Sequence, residues 1–325
     1  MSSEREYPGQ GGRSEAEPVN PVTAYRLPVT AQEGQTFSGD SLLVRYINFV
    51  KLPHTFFALP FALLGVLAAS RVAQVVAADV VLVIIAFSAA RWSAMGFNRI
   101  VDRSYDARNP RTQNRELPRG TLSLTQAWLS VVIAGGIFVL AAGSLNPLCR
   151  LLSPVALAWI MLYSLSKRFT WWPHLWLGVS LAIAPVGGYL AITGRWSDPA
   201  WMLAAITAGV ATWVAGFDIF YALPDAGFDR AHGLRSAAVR LGESRAILLA
   251  KSLHAVTIPA LAFFGYAAGF GTWYYVGLAI ATGILVYEHQ LVHPGDLSRL
   301  DAAFFTMNGV MSVVVFGFAL LDRVV

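Results

Sequence analysis

Two acidic clusters stand at the ends of long apolar stretches, about a third of the chain apart. The first reads Asn98-Arg-Ile-Val-Asp102-Arg-Ser-Tyr-Asp106, and the second reads Asp218-Ile-Phe-Tyr-Ala-Leu-Pro-Asp225-Ala-Gly-Phe-Asp229. Carboxylates near membrane depth are costly to bury, so they usually pair with a base, bind a metal ion or face a wet cavity. Because an arginine-rich loop follows each cluster, the pattern indicates divalent cations that hold a polyanion.

The spacing within each cluster places the oxygen atoms on common helix faces. Residues four apart share a face, so Asn98, Asp102 and Asp106 form one oxygen-rich stripe. In the second cluster Asp218 and Asp225 are two turns apart. Such carboxylates match Mg²⁺, which keeps several waters and completes its ligand shell with substrate phosphates.

The second cluster should not be one unbroken helix. Pro224 and Gly227 are expected to interrupt it, so that Asp229 lies on a bent segment or a loop. The sequence has neither clustered cysteines nor histidines at ligand spacing, so a zinc site is not predicted. Mg²⁺ is therefore the predicted cofactor.

Basic residues follow each cluster and can bind phosphate oxygens. Arg115 and Arg235 lie in the two loops, and Tyr163 and Lys167 lie at the end of another apolar stretch. Guanidinium groups bind phosphates bidentately and lysine supplies a point charge. A simpler interpretation of each stays open: the arginines could only set the topology, Tyr163 could be an interfacial aromatic, and Lys167 could extend to the membrane surface.

The composition is that of a membrane protein. Of 325 residues, 56% are hydrophobic and 13% are charged, whereas soluble domains carry roughly 25% charged residues. The basic residues lie in short loops, so the excess of positive charge indicates membrane orientation and not nucleic-acid binding. Residues 1–40 differ in composition and are predicted to be a disordered tail, followed by a transmembrane domain over residues 41–325.

The hydropathy pattern predicts an all-α integral membrane protein with about nine spans, since a spanning helix needs roughly 20 apolar residues. The predicted spans are 50–70, 79–99, 124–144, 148–166, 173–193, 200–221, 246–268, 271–290 and 302–321. Most arginines fall in the loops on one side, which should be the cytoplasmic side. The N-terminus and both acidic clusters should then face the cytoplasm.

A faint internal duplication supports this arrangement. Leu52-Pro53-His54 recurs as Trp172-Pro173-His174, and each acidic cluster leads into a basic loop, a glycine (Gly120 or Gly242) and a further apolar stretch. Two such units would be parallel repeats with the binding site between them. Chance similarity of short motifs is the alternative.

Four spaced motifs cover nearly all of the chain after residue 40. They are Asn98-x-x-x-Asp102-Arg-x-x-Asp106, Arg111-Thr-x-x-Arg115-x-Leu-Pro, Tyr163-x-x-x-Lys167 and Asp218-x-x-Tyr221-x-x-x-Asp225-x-x-x-Asp229. Together they resemble the UbiA superfamily of intramembrane aromatic prenyltransferases. The resemblance implies a nine-helix bundle in the cell membrane, a Mg²⁺-bound polyprenyl diphosphate and transfer of the prenyl chain to an aromatic ring. Many members have Asp after the first Asn, where this chain has Arg99.

The resemblance also implies roles for the acidic and basic residues. Asp102, Asp106, Asp218 and Asp225 would hold Mg²⁺, with Asn98 as a neutral oxygen ligand. Arg115, Lys167 and Arg235 would bind the diphosphate. Asp229 or Asp225 could influence loss of the ring proton, and Lys51 or His54 could pair with the carboxylate of the aromatic acid.

The acceptor is not fixed by these motifs. Asn98-Arg-x-x-Asp-Arg, the Ala-Arg-Asn-Pro-Arg-Thr run that follows it and Lys51-Leu-Pro-His54 look most like the menaquinone branch, which prenylates a dihydroxynaphthoate. The 4-hydroxybenzoate branch of ubiquinone synthesis is the close rival. Outside the family, a transporter with intramembrane acids and a non-catalytic membrane scaffold are the alternatives.

Overall fold

The chain folds into a bundle of helices. The computed structural model describes residues 37–39, 41–51, 55–297, 299–300 and 306–325, and no strand forms within these ranges. The helices are α1 Leu42–Phe49, α2 Thr55–Ala69, α3 Ala77–Asp106, α4 Leu124–Leu145, α5 Pro147–Leu162, α6 Ser166–Phe169, α7 Pro173–Thr193, α8 Trp201–Ala222, α9 Ala226–Ala231, α10 Ala237–Leu241, α11 Glu243–Ala267, α12 Thr272–Leu291 and α13 Asn308–Val324.

Polar N-cap residues lie at the start of several of these apolar helices. At the start of α4 the Ser123 side chain accepts from the backbone N–H of Gln126, whose own side chain accepts from Ser123 N–H. This reciprocal pair satisfies N–H groups that have no partner within the helix. Asn146 caps α5 in a similar way, and Pro147 occupies the first helical position, where no N–H is needed.

Six helical segments are long and apolar enough to cross a membrane, counted over the described residues. They are Ala77–Asp106, Leu124–Leu145, Pro147–Phe169, Pro173–Thr193, Trp201–Ala231 and Glu243–Ala267. The prediction of an all-helical integral membrane protein is thus confirmed. The shorter α2 and the helices α12 and α13 coincide with the other predicted spans, but the count of nine stays a prediction, as does the side of the N-terminus.

Helix α8 is the most buried helix of the bundle and packs between α7 and α11. Close packing with α7 depends on glycine, because a Cβ at Gly178 would overlap the backbone carbonyl of Ala211. A Cβ at Gly188 would likewise overlap the carbonyl of Ala62 on α2. Small residues of this kind let membrane helices approach closely, and α7 is therefore held firmly between α2 and α8.

The two predicted repeats have matching connections. The first acidic cluster ends α3, and the loop that follows passes through Gly120 before α4 begins. The second cluster ends α8, and its loop passes through Gly242 before α11. Both glycines have positive φ, +69° and +78°, a conformation that glycine adopts without strain. The first Leu-Pro-His copy, with His54, lies outside the described residues, as does the predicted tail up to residue 36.

Candidate active site

Both acidic clusters line one small polar cavity. Its volume is about 140 Å³, and its walls include Asp102 and Asp106 from α3 as well as Asp218 from α8. Asp225 and Asp229 follow α8 into the same walls, because the chain passes from α8 into a 3₁₀ turn over Leu223–Asp225 and then into α9. The expected interruption near Pro224 is thus present, and it turns the last carboxylates toward those of the first cluster.

A much larger apolar chamber adjoins this polar cavity. It has a volume of about 1550 Å³ and runs between α3, α5, α7 and α8. Six residues line both spaces: Asn98, Arg111, Arg115, Tyr163, Asp218 and Tyr221. A ligand with an anionic head and a long apolar tail could therefore place its head among the acids and bases and its tail in the chamber.

In the first cluster each acid has a basic partner. The Asn98 side-chain amide donates to Asp102 at 3.1 Å, which confirms that the two share a helix face. Arg168 donates to the other Asp102 oxygen at 3.2 Å. Arg115 donates to Asp106 Oδ1 at 2.6 Å, while Asp106 Oδ2 is buried without a hydrogen-bond partner. One carboxylate oxygen of the cluster is thus available to a ligand.

The second cluster is held by bases from other elements. Arg111, in the loop after the first cluster, donates through two nitrogens to both oxygens of Asp225, and Asn109 donates to the same carboxylate at 3.1 Å. Lys167 at the end of the α5–α6 segment donates to Asp229 at 3.0 Å. Because Arg111 follows α3 and Asp225 follows α8, this ion pair joins the two acidic segments of the chain.

These side chains suit a hard cation, although they do not form a ready-made metal site. Across the described ranges, no three His, Cys, Asp or Glu side chains come close enough together to hold one ion. The donors are nevertheless carboxylate oxygens, which Mg²⁺ prefers, and Asp106 Oδ2 lacks a partner. A bound cation would have to displace at least some of the basic side chains that now contact the carboxylates.

The structure places most, but not all, of the predicted site residues at these two cavities. Tyr163 and Lys167 line the polar cavity, and Lys51 lines the apolar chamber. Arg235 lines neither space: its guanidinium donates to the Phe169 carbonyl at 2.6 Å and lies 5.5 Å from the Trp171 ring centre. These two contacts hold the Arg235 side chain outside the lining of both cavities. His54 lies outside the described residues.

Three further side chains lie at or beside the site: Arg111, which one of the sequence motifs includes, and Arg91 and His174, which were not among the predicted residues. Arg111 also lies over the ring of Tyr221, 4.5 Å from its centre. Arg91 lines the apolar chamber two turns before Asn98. His174 contacts Asp218 through Nδ1 at 2.7 Å. Two signals could have indicated them: Arg91 is a charge inside an apolar span, and His174 belongs to the repeated Pro-His motif.

The fold and the site define a class: an integral membrane helix bundle in which a cavity of acids and bases adjoins an apolar chamber. The model of the UbiA prenyltransferase family matches residues 58–310. The chain belongs to the UbiA prenyltransferase family and is an enzyme of that family.

Several known proteins are similar to this chain. The 4-hydroxybenzoate octaprenyltransferase of Nitrosococcus oceani is 32% identical over 226 residues, which are 69% of this chain and 77% of that protein. A solved apo UbiA homologue from Aeropyrum pernix is 31% identical, with a TM-score of 0.77 over 83% of this chain and 98% of its own. A homologue from Archaeoglobus fulgidus, solved with GPP and Mg²⁺, has a TM-score of 0.66 at 18% identity over 86% of this chain and 100% of its own, a likeness of fold.

Proposed function

We propose that this enzyme transfers a polyprenyl group from an isoprenyl diphosphate to an aromatic acid. The observation that carries the proposal is the shared wall between the small cavity of acids and bases and the large apolar chamber. The donor has the same two parts, a diphosphate and a hydrocarbon chain. The family supports transfer over the transporter and scaffold alternatives, because its model describes prenyltransferases.

The bases of the polar cavity bind the diphosphate. Arg111, Arg115 and Lys167 line this cavity and at present neutralise carboxylates. When the donor enters, these cations hydrogen-bond to its phosphate oxygens, which are also anionic and accept in the same way. Negative charge grows on the leaving diphosphate as the allylic C–O bond breaks, and fixed positive groups stabilise that charge.

Mg²⁺ fits the carboxylates of the cavity, and Asp102, Asp106, Asp218 and Asp225 would hold it, with Asn98 as a neutral oxygen ligand. When bound, it neutralises the diphosphate and so promotes its departure. The homologue solved with GPP and Mg²⁺ supports this choice of ion.

Transfer then balances as an aromatic substitution. The electron pair of the C–O bond leaves with the diphosphate, and a ring carbon of the acceptor supplies the pair for the new C–C bond. Loss of the ring proton to a base restores aromaticity. Asp229 and Asp225, which line the polar cavity, are the candidates for that base. The apolar chamber excludes water, which would otherwise capture the allylic cation as an alcohol.

The carboxylate of the acceptor binds at a basic group of the chamber. Arg91, Arg99 and Lys51 all line the chamber close to the acidic end. Arg91 donates to the Val50 carbonyl at 3.2 Å, which anchors its guanidinium on the loop that carries Lys51. A guanidinium in a largely apolar wall is suited to a planar carboxylate. In this proposal Arg91 joins Lys51 as a partner of the carboxylate of the aromatic acid.

The acceptor is a hydroxybenzoate or a dihydroxynaphthoate, and the product is a precursor of a membrane quinone. The similar curated proteins from Nitrosococcus oceani and Aromatoleum aromaticum are both named 4-hydroxybenzoate octaprenyltransferase, which favours 4-hydroxybenzoate and ubiquinone synthesis. The motifs around Asn98 and Lys51 favour the naphthoate and menaquinone synthesis. The enzyme lies in the cell membrane with the acidic end toward the cytoplasm, because the loops at that end carry most of the arginines.

A direct assay decides among these acceptors. Purified protein in lipid vesicles receives octaprenyl diphosphate, Mg²⁺ and one of three acids: 4-hydroxybenzoate, 1,4-dihydroxy-2-naphthoate or 1,4-dihydroxy-6-naphthoate. Mass spectrometry should detect one prenylated product that depends on Mg²⁺. Asp102→Ala is expected to abolish the product without preventing membrane insertion. Arg108→Gln is the control, because Arg108 is exposed and lines neither cavity. No product with any acid, or full activity of Asp102→Ala, would contradict the proposal.

A further inference from the structure

His174 stands apart among the groups that contact the acidic clusters. Asp102, Asp106, Asp225 and Asp229 each contact an arginine or a lysine. Asp218 instead contacts His174, with 2.7 Å between Nδ1 and Oδ2. His174 is 2% exposed and lines neither cavity, so it meets no ligand directly.

The hydrogen bonds define which nitrogen of His174 carries the proton. The backbone N–H of Ala237 donates to His174 Nε2 at 3.4 Å. An N–H can donate only to an unprotonated nitrogen, so Nε2 is the acceptor and Nδ1 is the nitrogen that carries a proton. His174 therefore donates to Asp218, and the start of α10 selects this tautomer.

This contact fixes the Asp218 carboxylate from behind. His174 is in the first turn of α7, Asp218 is on α8 and Ala237 begins α10, so three elements determine the position of the ring. The imidazole occupies Oδ2, and Asp218 lines both cavities. Because the His174 ring is held in place and donates to Oδ2, it also sets the direction of the other carboxylate oxygen, Oδ1.

A buried imidazole has a further advantage over an arginine or a lysine at this position. An arginine or lysine partner would itself be attracted to the diphosphate and would leave the carboxylate when the isoprenyl diphosphate binds. The buried imidazole has no access to the cavity and stays on Asp218. Partners that orient a metal ligand in this way change metal affinity or activity about 10- to 100-fold when they are removed.

We propose that His174 is a positioning residue, which orients the Asp218 carboxylate for the divalent cation through its Nδ1–H donor. The inference rests on the proposed function, in which Asp218 is a metal ligand. It makes the second Pro-His motif of the chain part of the metal site, although no atom of His174 touches ion or substrate.

The test compares variants that keep, move or remove the donor. His174→Asn places an amide N–H near the position of Nδ1, His174→Gln moves the amide one carbon further, and His174→Leu removes the donor at similar volume. His254→Leu is the control, because His254 is also buried, at 4% exposure, and lines neither cavity. Its partners are His289 and the Trp213 carbonyl.

Two measurements are made on each full-length variant in detergent: the Kd for Mn²⁺, by electron paramagnetic resonance with no other ligand, and the Tm. His174→Leu and His174→Gln should bind Mn²⁺ about 10- to 100-fold more weakly than wild type, and His174→Asn within about threefold. His254→Leu should lower the Tm and leave the Kd unchanged. If His174→Leu does not fold, the comparison of Asn with Gln gives the same answer.

The outcomes separate this inference from the proposed function. If Asp218→Ala loses Mn²⁺ but His174→Leu and His174→Gln bind it like wild type, the positioning role is wrong and the metal site stands. Equal losses in the Asn and Gln variants would also overturn the positioning role, because the place of the donor would not matter. If the wild type does not bind Mn²⁺, this inference fails. If the wild type also forms no product, the proposed function fails with it.

Discussion

Breaking the ion pair between Arg111 and Asp225 should destabilise the protein strongly, because the pair is buried and links the segments that follow α3 and α8. Their side chains are 8% and 9% exposed, so solvent screens the pair little. Replacing one member of a buried pair costs about 3–5 kcal/mol, since the other charge is left without a partner. In Arg111→Leu the Asn109 amide still donates to Asp225 at 3.1 Å. We therefore expect Arg111→Leu to lower the free energy of unfolding by the lower end of this range, about 3 kcal/mol.

The assay is thermal unfolding of the purified protein in detergent. A loss of 3 kcal/mol corresponds to a fall in Tm of roughly 6–12 °C, from the scale of 2–4 °C per kcal/mol for domains of 150–250 residues. The double variant Arg111→Leu/Asp225→Leu should recover most of this loss, because apolar pairs replace buried ion pairs at little cost. Arg108→Leu is the control: its side chain is exposed, and its Tm should change by less than about 2 °C.

Two results would refute this reasoning. A Tm of Arg111→Leu within 2 °C of wild type would mean that the buried carboxylate tolerates loss of its partner. A double variant less stable than Arg111→Leu would mean that the charge of Asp225 is not the source of the loss.

The remaining predictions concern single groups of the site and of the bundle. Asp218→Ala should abolish Mg²⁺-dependent product formation in the vesicle assay while the protein still inserts, and retained activity would remove Asp218 from the metal site. Lys167→Ala should weaken competitive inhibition by inorganic pyrophosphate more than about tenfold, because a charge-assisted hydrogen bond contributes about 1.5–3 kcal/mol; an unchanged inhibition constant would leave Lys167 a surface-seeking residue. Arg91→Leu should raise the KM for the aromatic acid about tenfold and leave that of the donor unchanged, and equal rises in both would contradict the acceptor subsite. Gly188→Val should lower the Tm by several degrees, since its Cβ would overlap the Ala62 carbonyl and overpacking costs about 1–3 kcal/mol; an unaltered Tm would show that α2 and α7 can separate.

The convergence of the acidic clusters could be predicted from sequence, for a physical reason. Both clusters end apolar stretches of similar length, and the helical period fixes which oxygens share a face. The structure brings the two sets to one cavity. Their chemical roles, including metal binding, stay predictions.

The partners of these acids could not be predicted in the same way. Arg111 and Arg115 are four residues apart, yet one reaches Asp225 and the other Asp106. Which carboxylate each arginine reaches depends on a turn in which the Arg111 N–H donates to the Asn109 side chain. The hydropathy pattern does not predict this turn. Arg235 shows the opposite case: its charge predicted a phosphate ligand, but in the structure its guanidinium donates to the Phe169 carbonyl and lies over the Trp171 ring.

The chamber wall has a consequence for the product. Away from the acidic end it consists mainly of alanine, leucine and valine side chains, and its hydroxyls, those of Ser153, Ser180 and Thr207, donate to carbonyls of their own helices. Among the described lining residues of this part of the chamber, no further polar group marks an end for a longer isoprenoid tail. We therefore expect such a wall to accept short and long tails alike. In the transfer reaction proposed above, the length of the transferred tail would then be set by the enzyme that makes the isoprenyl diphosphate.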